Sequence, residues 1–269
     1  MVSRSRLRLD VWLTEKGLAE SRAKAQALIM AGRVRLHGQP ATKPGTAIRE
    51  DAVVELLPGP QHVGRGALKL AGALDGFAID PKDKIAVDVG ASTGGFTEVL
   101  LSRGVLRVYA LDVGRAQLHE SLRRDPRVHV IDGVNARHLS AHEIPDVCQM
   151  ATMDVSFISV LKILPALRSV LMPDAEVVVL VKPQFELTRR NVGRGGLVTD
   201  PELHRRALAG VAHTAHGEHG YAVLNACASP IAGAEGNREF FLHLRPSGAS
   251  LPPEHWAAMI AAATQAQHP

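Results

Sequence analysis

The stretch Ile85-Ala-Val-Asp-Val-Gly-Ala-Ser-Thr-Gly-Gly-Phe-Thr97 runs from an apolar segment through a glycine-rich turn into a second apolar segment. It predicts a buried strand, a tight turn and a helix, an arrangement that brings backbone N–H groups up to a nucleotide-like ligand. The glycines do not fit the G-x-G-x-x-G of dinucleotide enzymes, because Ser92 and Thr93 stand where a pyrophosphate needs bare backbone. A ligand without a pyrophosphate is favoured, and S-adenosylmethionine is the common one. The next apolar run, Arg107-Val-Tyr-Ala-Leu-Asp112, ends in a carboxylate about 20 residues further on, where doubly wound folds place the acid that accepts from ribose hydroxyls. The expected cofactor-binding residues are Asp88, Gly90, Ser92, Gly94, Gly95 and Asp112. Asn135 joins them after the third strand, where an adenine pocket is expected, although an Asn there also suits a plain turn.

Working outward, strand and helix signals alternate from Ile85 on, with strands near 85–89, 107–111, 127–132, 149–154 and 176–182. Such alternation predicts a parallel sheet covered by helices on both faces. Two more strands, 221–228 and 238–245, follow a helix beginning at Asp200-Pro201, and the short loop between them predicts an antiparallel pair. The expected fold class is α/β: a Rossmann-like sheet of seven strands, resembling the S-adenosylmethionine-dependent methyltransferase fold, since dinucleotide dehydrogenases lack the terminal hairpin. Ahead of it a small α+β domain is expected. Ser21 suits the N-cap of a helix through Ala31 that Gly32 stops, and 34–37 and 53–56 read as strands. Pro58-Gly-Pro60 breaks both helix and sheet. The expected division is residues 1–59, a linker at 60–66, and a second domain at 67–269.

Charge supports two modules. Residues 1–50 carry ten Lys and Arg against four acids, whereas the remainder is slightly acidic within a net +4. A basic module on an enzyme-sized body suggests a polyanion-binding domain that delivers substrate to a separate site. The two cysteines, Cys148 and Cys227, sit in apolar runs without metal or disulfide spacing, so no metal site is expected and a reducing compartment is. The N-terminus has no secretory signal and the longest apolar run is far short of a membrane span, which reads as cytoplasmic with no membrane partner.

Ligands in such sheets bind beyond the carboxyl ends of strands, where Asp154 and Lys182 stand. A Lys abutting apolar residues is costly unless paired or used. The bland reading is a buried Lys182–Asp154 ion pair. The functional one is methyl transfer to a hydroxyl, which needs a base near a poor nucleophile and a fixed in-line geometry. The sequence after Asp154 is Val-Ser-Phe, not the Asn/Asp-Pro-Pro-Tyr that cradles an amino group, and no Cys lies at a strand end. Nitrogen and cysteine-mediated carbon acceptors are therefore disfavoured.

Two resemblances sharpen this reading. Arg8-Leu-Asp10, Gly17, Ser21-Arg-Ala-Lys-Ala-Gln26 and Gly32-Arg-Val-Arg-Leu-His-Gly38 resemble the S-four RNA-binding domain, which implies RNA binding. Arg4, Arg6, Arg22, Lys24, Arg33 and Arg35 are its candidate RNA contacts. The second domain resembles the FtsJ-type 2′-O-ribose methyltransferases with their Lys-Asp-Lys-Glu tetrad. Lys69 in Gly-Ala-Leu-Lys-Leu, Asp154 in Met-Asp-Val-Ser-Phe, Lys182 in Val-Lys-Pro-Gln-Phe-Glu and Glu239 in Asn-Arg-Glu-Phe-Phe match it in order.

As a whole the chain resembles the TlyA family, once labelled haemolysins. The resemblance implies S-adenosylmethionine as cofactor and cytidines of 16S and 23S ribosomal RNA, hence ribosomal subunits, as substrate. It also implies susceptibility to capreomycin-type antibiotics. One departure is His62-Val-Gly-Arg-Gly66, where the family has an aromatic residue, Val, Ser, Arg and Gly; Gly64 for Ser is expected to loosen the linker. Competing readings are a non-catalytic RNA-binding assembly factor and a membrane-active haemolysin. The complete tetrad counts against the first. The lack of a long apolar or amphipathic cationic segment counts against the second.

Overall fold

The protein is described from a computed structural model, which covers residues 6–57, 62–233 and 235–265. Of the expected RNA contacts, Arg4 lies outside the described residues. The chain forms two compact units, Met1–Gln61 and His62–Pro269.

The first unit runs β1 (Arg6–Arg8), α1 (Leu9–Glu15), α2 (Arg22–Met30), β2 (Val34–Leu36), β3 (Gln39–Pro40), β4 (Ala47–Arg49) and β5 (Val54–Leu56). Ser21 caps α2 as expected, its hydroxyl accepting the Lys24 N–H at 3.2 Å. Leu9, Leu13, Ala25, Ile29 and Val34 are fully buried and form the core with Trp12 and Ile48. Strands β1 and β4 pair antiparallel, as do β2 and both β3 and β5. The alternation in β1 and β4 turns Ile48 into the core and leaves Arg6 and Arg49, directly opposite one another, exposed.

The second unit begins with α3 (Gly66–Phe77) and continues β6 (Ile85–Val89), α4 (Gly95–Ser102), β7 (Arg107–Asp112), α5 (Glu120–Arg123), β8 (Val128–Asp132) and β9 (Cys148–Met153). It is completed by α6 (Leu164–Arg168), β10 (Leu171–Val181), α7 (Pro183–Glu186), α8 (Pro201–Gly217), β11 (Ala222–Ala228), β12 (Phe240–Arg245) and α9 (Pro253–Gln265). The seven-stranded sheet has the order β11-β12-β10-β9-β6-β7-β8. The five strands from β10 to β8 are parallel, and β12 is antiparallel to both β10 and β11.

Strand β10 shows why the sheet holds. Val177, Val179 and Val181 pack into one core with α6, α8 and α9, while Val178 and Leu180 pack into a second with α3 and α4. Period-two alternation thus buries both faces of one strand. At about 1.5–3 kcal/mol for each fully buried aliphatic side chain, these residues anchor the platform on which the strand-end residues stand.

Of the expected linker at 60–66, residues 62–66 are described. His62 and Val63 are held to the second unit by Glu98 of α4, whose Oε2 accepts the Val63 N–H at 3.0 Å and lies 3.3 Å from His62 Nδ1. A Cβ on Gly64 would come within 2.6 Å of the Thr93 hydroxyl, so this stretch lies close against the glycine-rich turn. Helix α3 starts at Gly66, one residue before the expected domain start.

Candidate active site

The turn between β6 and α4 is built by its glycines, for two different reasons. Gly90 has φ +84°, and a Cβ on it would meet the Asp154 carbonyl oxygen at 2.3 Å. Only a glycine lets the ends of β6 and β9 approach so closely over the adjacent cavity. Gly94 has φ +101° and would drive a Cβ into Leu122 and Leu118, so its constraint is packing against α5. Asp112, at the end of β7, organises the turn from the other side. One carboxylate oxygen accepts the Ser92 N–H at 2.8 Å and the other the Gly114 N–H at 2.7 Å. A carboxylate has lone pairs left after two such bonds, available to ribose hydroxyls.

Three cavities adjoin at the carboxyl ends of the strands. The first, about 470 Å³, is bordered by Gly90, Ser92, Asp112, Asn135 and an apolar wall that includes Val134, Val155 and Ile158. The second, about 220 Å³, is formed by the glycine-rich turn with Asp154, Ser156 and Lys182. The third, about 420 Å³, holds Lys69, Lys182, Gln184 and Glu239. Ser156 borders all three.

S-adenosylmethionine fits the first two. The apolar wall suits a purine, Asp112 a ribose, and the crowded Gly90 crossing leaves bare backbone beside the second cavity.

Asp88 does not border these cavities. It is fully buried, its oxygens accepting the hydroxyls of Thr97 at 2.7 Å and Thr152 at 2.9 Å. Burial pushes its carboxyl up to about 6 despite those hydroxyls. It braces the turn from within the sheet, as Gly94 does by packing. Asn135 borders the first cavity, but its Oδ1 is engaged by the Arg137 backbone N–H at 3.1 Å, so its amide nitrogen is the group left for a ligand.

The tetrad residues come together as two ion pairs. Lys182, one residue past β10, places Nζ 2.6 Å from Asp154 Oδ1 and donates to Ser156 Oγ at 3.0 Å. Lys69, on α3, places Nζ 2.6 Å from Glu239 Oε2, and both side chains are more than nine-tenths buried. Gly233 makes room for this pair, since a Cβ there would come within 2.5 Å of Glu239 Oε1. Desolvating four charges costs several kcal/mol per ion unless geometry repays it. The Lys69–Glu239 pair, so fully buried beside a cavity that Lys182 also borders, is therefore a poor investment for stability alone.

The Gly193–Gly196 loop borders the third cavity through Gly195 and Gly196. Buried Asn237 ties it down, donating to the Gly196 carbonyl at 2.9 Å and accepting the Val198 N–H at 2.9 Å. Sequence reasoning missed Ser156, Phe157 and Asn237. Phe157 is 90% exposed, has φ +64° and borders both the first and third cavities. The visible signal was the Val155-Ser-Phe157 run directly after Asp154, which served only to argue against an amino acceptor.

In the first unit two expected RNA contacts have structural partners. Arg22 donates to buried Asp10 at 3.1 Å, and Arg33 donates twice to the Leu57 carbonyl. Arg6, Lys24 and Arg35 are exposed.

A parallel sheet with a terminal hairpin, a glycine-rich turn and two Lys–carboxylate pairs beyond the strand ends defines a Rossmann-like methyltransferase. Residues 62–246 match the FtsJ-like methyltransferase family and residues 7–54 the S4 domain. The chain is 47% identical to the 16S/23S rRNA (cytidine-2′-O)-methyltransferase TlyA of Mycobacterium tuberculosis, covering 89% of this chain and 90% of that protein. It is 40% identical to Hemolysin A of Brachyspira hyodysenteriae, over 88% and 99% of the two chains. A solved structure from Streptococcus thermophilus bearing a hemolysin name superposes with a TM-score of 0.73 at 38% identity, covering 97% and 96%.

The chain therefore belongs to the FtsJ-like methyltransferases, in the TlyA family that joins this domain to an S4 domain. It is an S-adenosylmethionine-dependent RNA methyltransferase. Among the described residues no helix is long and apolar enough to cross a membrane, and no group of side chains is placed to hold a metal ion.

Proposed function

We propose that the protein methylates the 2′-hydroxyl of a cytidine in 16S or 23S ribosomal RNA, acting in the cytoplasm on ribosomal subunits. The observation that carries this reading is Lys182 Nζ, held by Asp154 and Ser156 where the cofactor cavities meet the Lys69–Glu239 cavity.

Bound S-adenosylmethionine supplies an electrophilic methyl group on a sulfonium. Asp112 and the Ser92–Gly95 turn bind and orient that cofactor. Lys182 accepts the proton that the ribose hydroxyl loses as its oxygen takes the methyl group, with Asp154 fixing its position and balancing the ammonium so formed. Lys69 and Glu239, which border the same cavity, orient the acceptor ribose. Exposed Phe157 offers an aromatic face to a base of the acceptor strand. Arg6, Lys24 and Arg35, with Arg4, Arg22 and Arg33, supply cationic contacts to the RNA backbone.

Lys182→Arg tests the chemistry, because an Arg keeps the charge but cannot give up its proton. It should bind cofactor and RNA normally and lose methyl transfer. An RNA carrying one 2′-deoxy nucleotide at the mapped site should bind and take up no methyl. Methylation of that RNA would place the methyl on a base and end the 2′-O assignment. Gly90→Ala should abolish cofactor binding in isothermal titration, since the added Cβ collides with backbone.

A further inference from the structure

Phe157 poses a physical problem. A bulky side chain in the left-handed region costs about 1–3 kcal/mol and persists only where the surroundings over-determine it. Phe157 is at φ +64° yet 90% exposed, so burial does not hold it. Something on either side of its turn must.

The segment 154–160 after β9 and the segment 182–186 after β10, Lys182 with helix α7, face one another and meet in three places. The first is Lys182 with Asp154 and Ser156. The second is Phe185 against Phe157, with ring centroids 5.3 Å apart and planes tilted by 49°. The third is Glu186, whose Oε2 accepts the Ser159 hydroxyl at 2.5 Å and whose Oε1 accepts the Val160 N–H at 2.9 Å. Charged acceptors make hydrogen bonds about twice as strong as neutral ones. The third contact is thus a two-point anchor just beyond Phe157, and the Lys182 contact with Ser156 anchors the residue just before it.

We propose that Glu186 is a positioning residue: by clamping Ser159 and Val160 it holds the 156–158 turn in its left-handed form, so that Phe157 faces the acceptor strand. This rests on the 2′-O-methyltransferase reading above. Glu186 borders a separate cavity of about 300 Å³, with Thr188, Asn191 and Arg206, and none of the three cavities assigned to cofactor and acceptor. Its part is to position another residue. Burial pushes its carboxyl upward, against the pull of the Ser159 and Val160 donors.

The test uses full-length Glu186→Ala, Glu186→Gln, Phe157→Ala and the Glu186→Ala/Phe157→Ala double variant. Methyl incorporation into ribosomal RNA gives kcat and KM, and isothermal titration gives cofactor affinity. Glu186→Ala should lose at least about tenfold in kcat/KM for RNA, as small misplacements of reacting groups do. Cofactor affinity should stay within about twofold.

Glu186→Gln should recover most of the activity, because its amide can accept from Val160 and donate to Ser159. The double variant should be no worse than Phe157→Ala alone, since the clamp then has nothing left to position. If Glu186→Ala does not fold, Ser159→Ala carries the same comparison with Phe157→Ala.

A wild-type rate in Glu186→Ala would overturn the proposal. So would losses in the two single variants that multiply in the double, or cofactor affinity falling in step with rate. Failure of the wild type itself to methylate a ribose would instead refute the underlying reading.

Discussion

In the small unit Asp10 is fully buried among cations, whereas in the large unit Asp88 is equally buried among hydroxyls. Asp10 accepts from Arg8 at 3.0 and 2.9 Å, from Arg22 at 3.1 Å and from Gln26 at 2.8 Å. Those bonds, Arg8 foremost, hold its carboxyl far below the usual carboxylate range in spite of burial. Asp88 has only Thr97 and Thr152, and burial pushes it up to about 6. The small unit thus uses part of its positive charge internally, on a carboxylate that organises α1 and α2. In the large unit Lys69 and Lys182, each paired with a carboxylate, both border the third cavity, while a further pair, Arg245 with Glu176, joins β12 to β10. The same residue type reports which demand dominated locally.

Four measurements would break or sharpen this contrast. The largest effect is expected where buried charge faces charge in the large unit. Lys69→Met strands Glu239 and should destabilise that unit by about 3–5 kcal/mol in denaturant titration, with methyl transfer lost. A variant of wild-type stability would mean that water already reaches the pair.

Next comes Asp88. Its folded pKa lies above the unfolded value, so its contribution to stability is fully present below pH of about 4 and is lost as pH rises through about 6. The change amounts to about 3 kcal/mol. Asp88→Asn should remove that segment from the stability–pH curve, and an unchanged curve would show that Asp88 is not the titrating group.

Asp10 should behave with the opposite sign. Its pKa is depressed, so its contribution is present above about pH 4 and fades as pH falls below that. Asp10→Ala should cost the small unit about 2 kcal/mol at neutral pH, less than a fully buried pair because Arg8 and Arg22 are half exposed. RNA affinity should fall with it.

The smallest effect is expected at Arg6 and Arg49, exposed and directly opposite across β1 and β4. Like charges facing across a strand pair repel, and an anion between them relieves the repulsion. Each Arg→Ala should leave stability nearly unchanged and reduce the salt slope of RNA binding by about 1. An unaltered slope would remove that strand pair from the RNA interface.

Much of this arrangement was legible in the residues. Hydrophobic period and glycine placement located the seven strands, with shifts mostly at their ends. β10 begins at Leu171, five residues before the expected start, because its bulged N-terminal stretch, 172–175, lacks a continuous apolar run. Asp154 and Lys182 were readable because each ends a strand whose apolar pattern is strong, whereas Lys69 and Glu239 were singled out only by the resemblance to the FtsJ-type enzymes. Less legible were the residues that act at one remove: Ser156, Phe157 and Asn237 occupy loops, and Glu186 ends the four-residue helix α7, too short for periodicity to tie a residue type to a direction.

What the sequence alone determined is the βα order, the capped helix of the basic module, and which side chains stand at strand ends, because these follow from local propensity and burial along the chain. The tertiary structure alone decided partnership. It paired Lys69 with Glu239, turned Arg22 inward to Asp10, set Asp88 beneath the turn against Thr152, and set Glu186 against Ser159. Each is a contact between segments distant in sequence, with 12 residues separating Asp10 from Arg22 and 64 separating Asp88 from Thr152. The energy of a buried charge depends on what lies across from it in space, and chain order does not carry that.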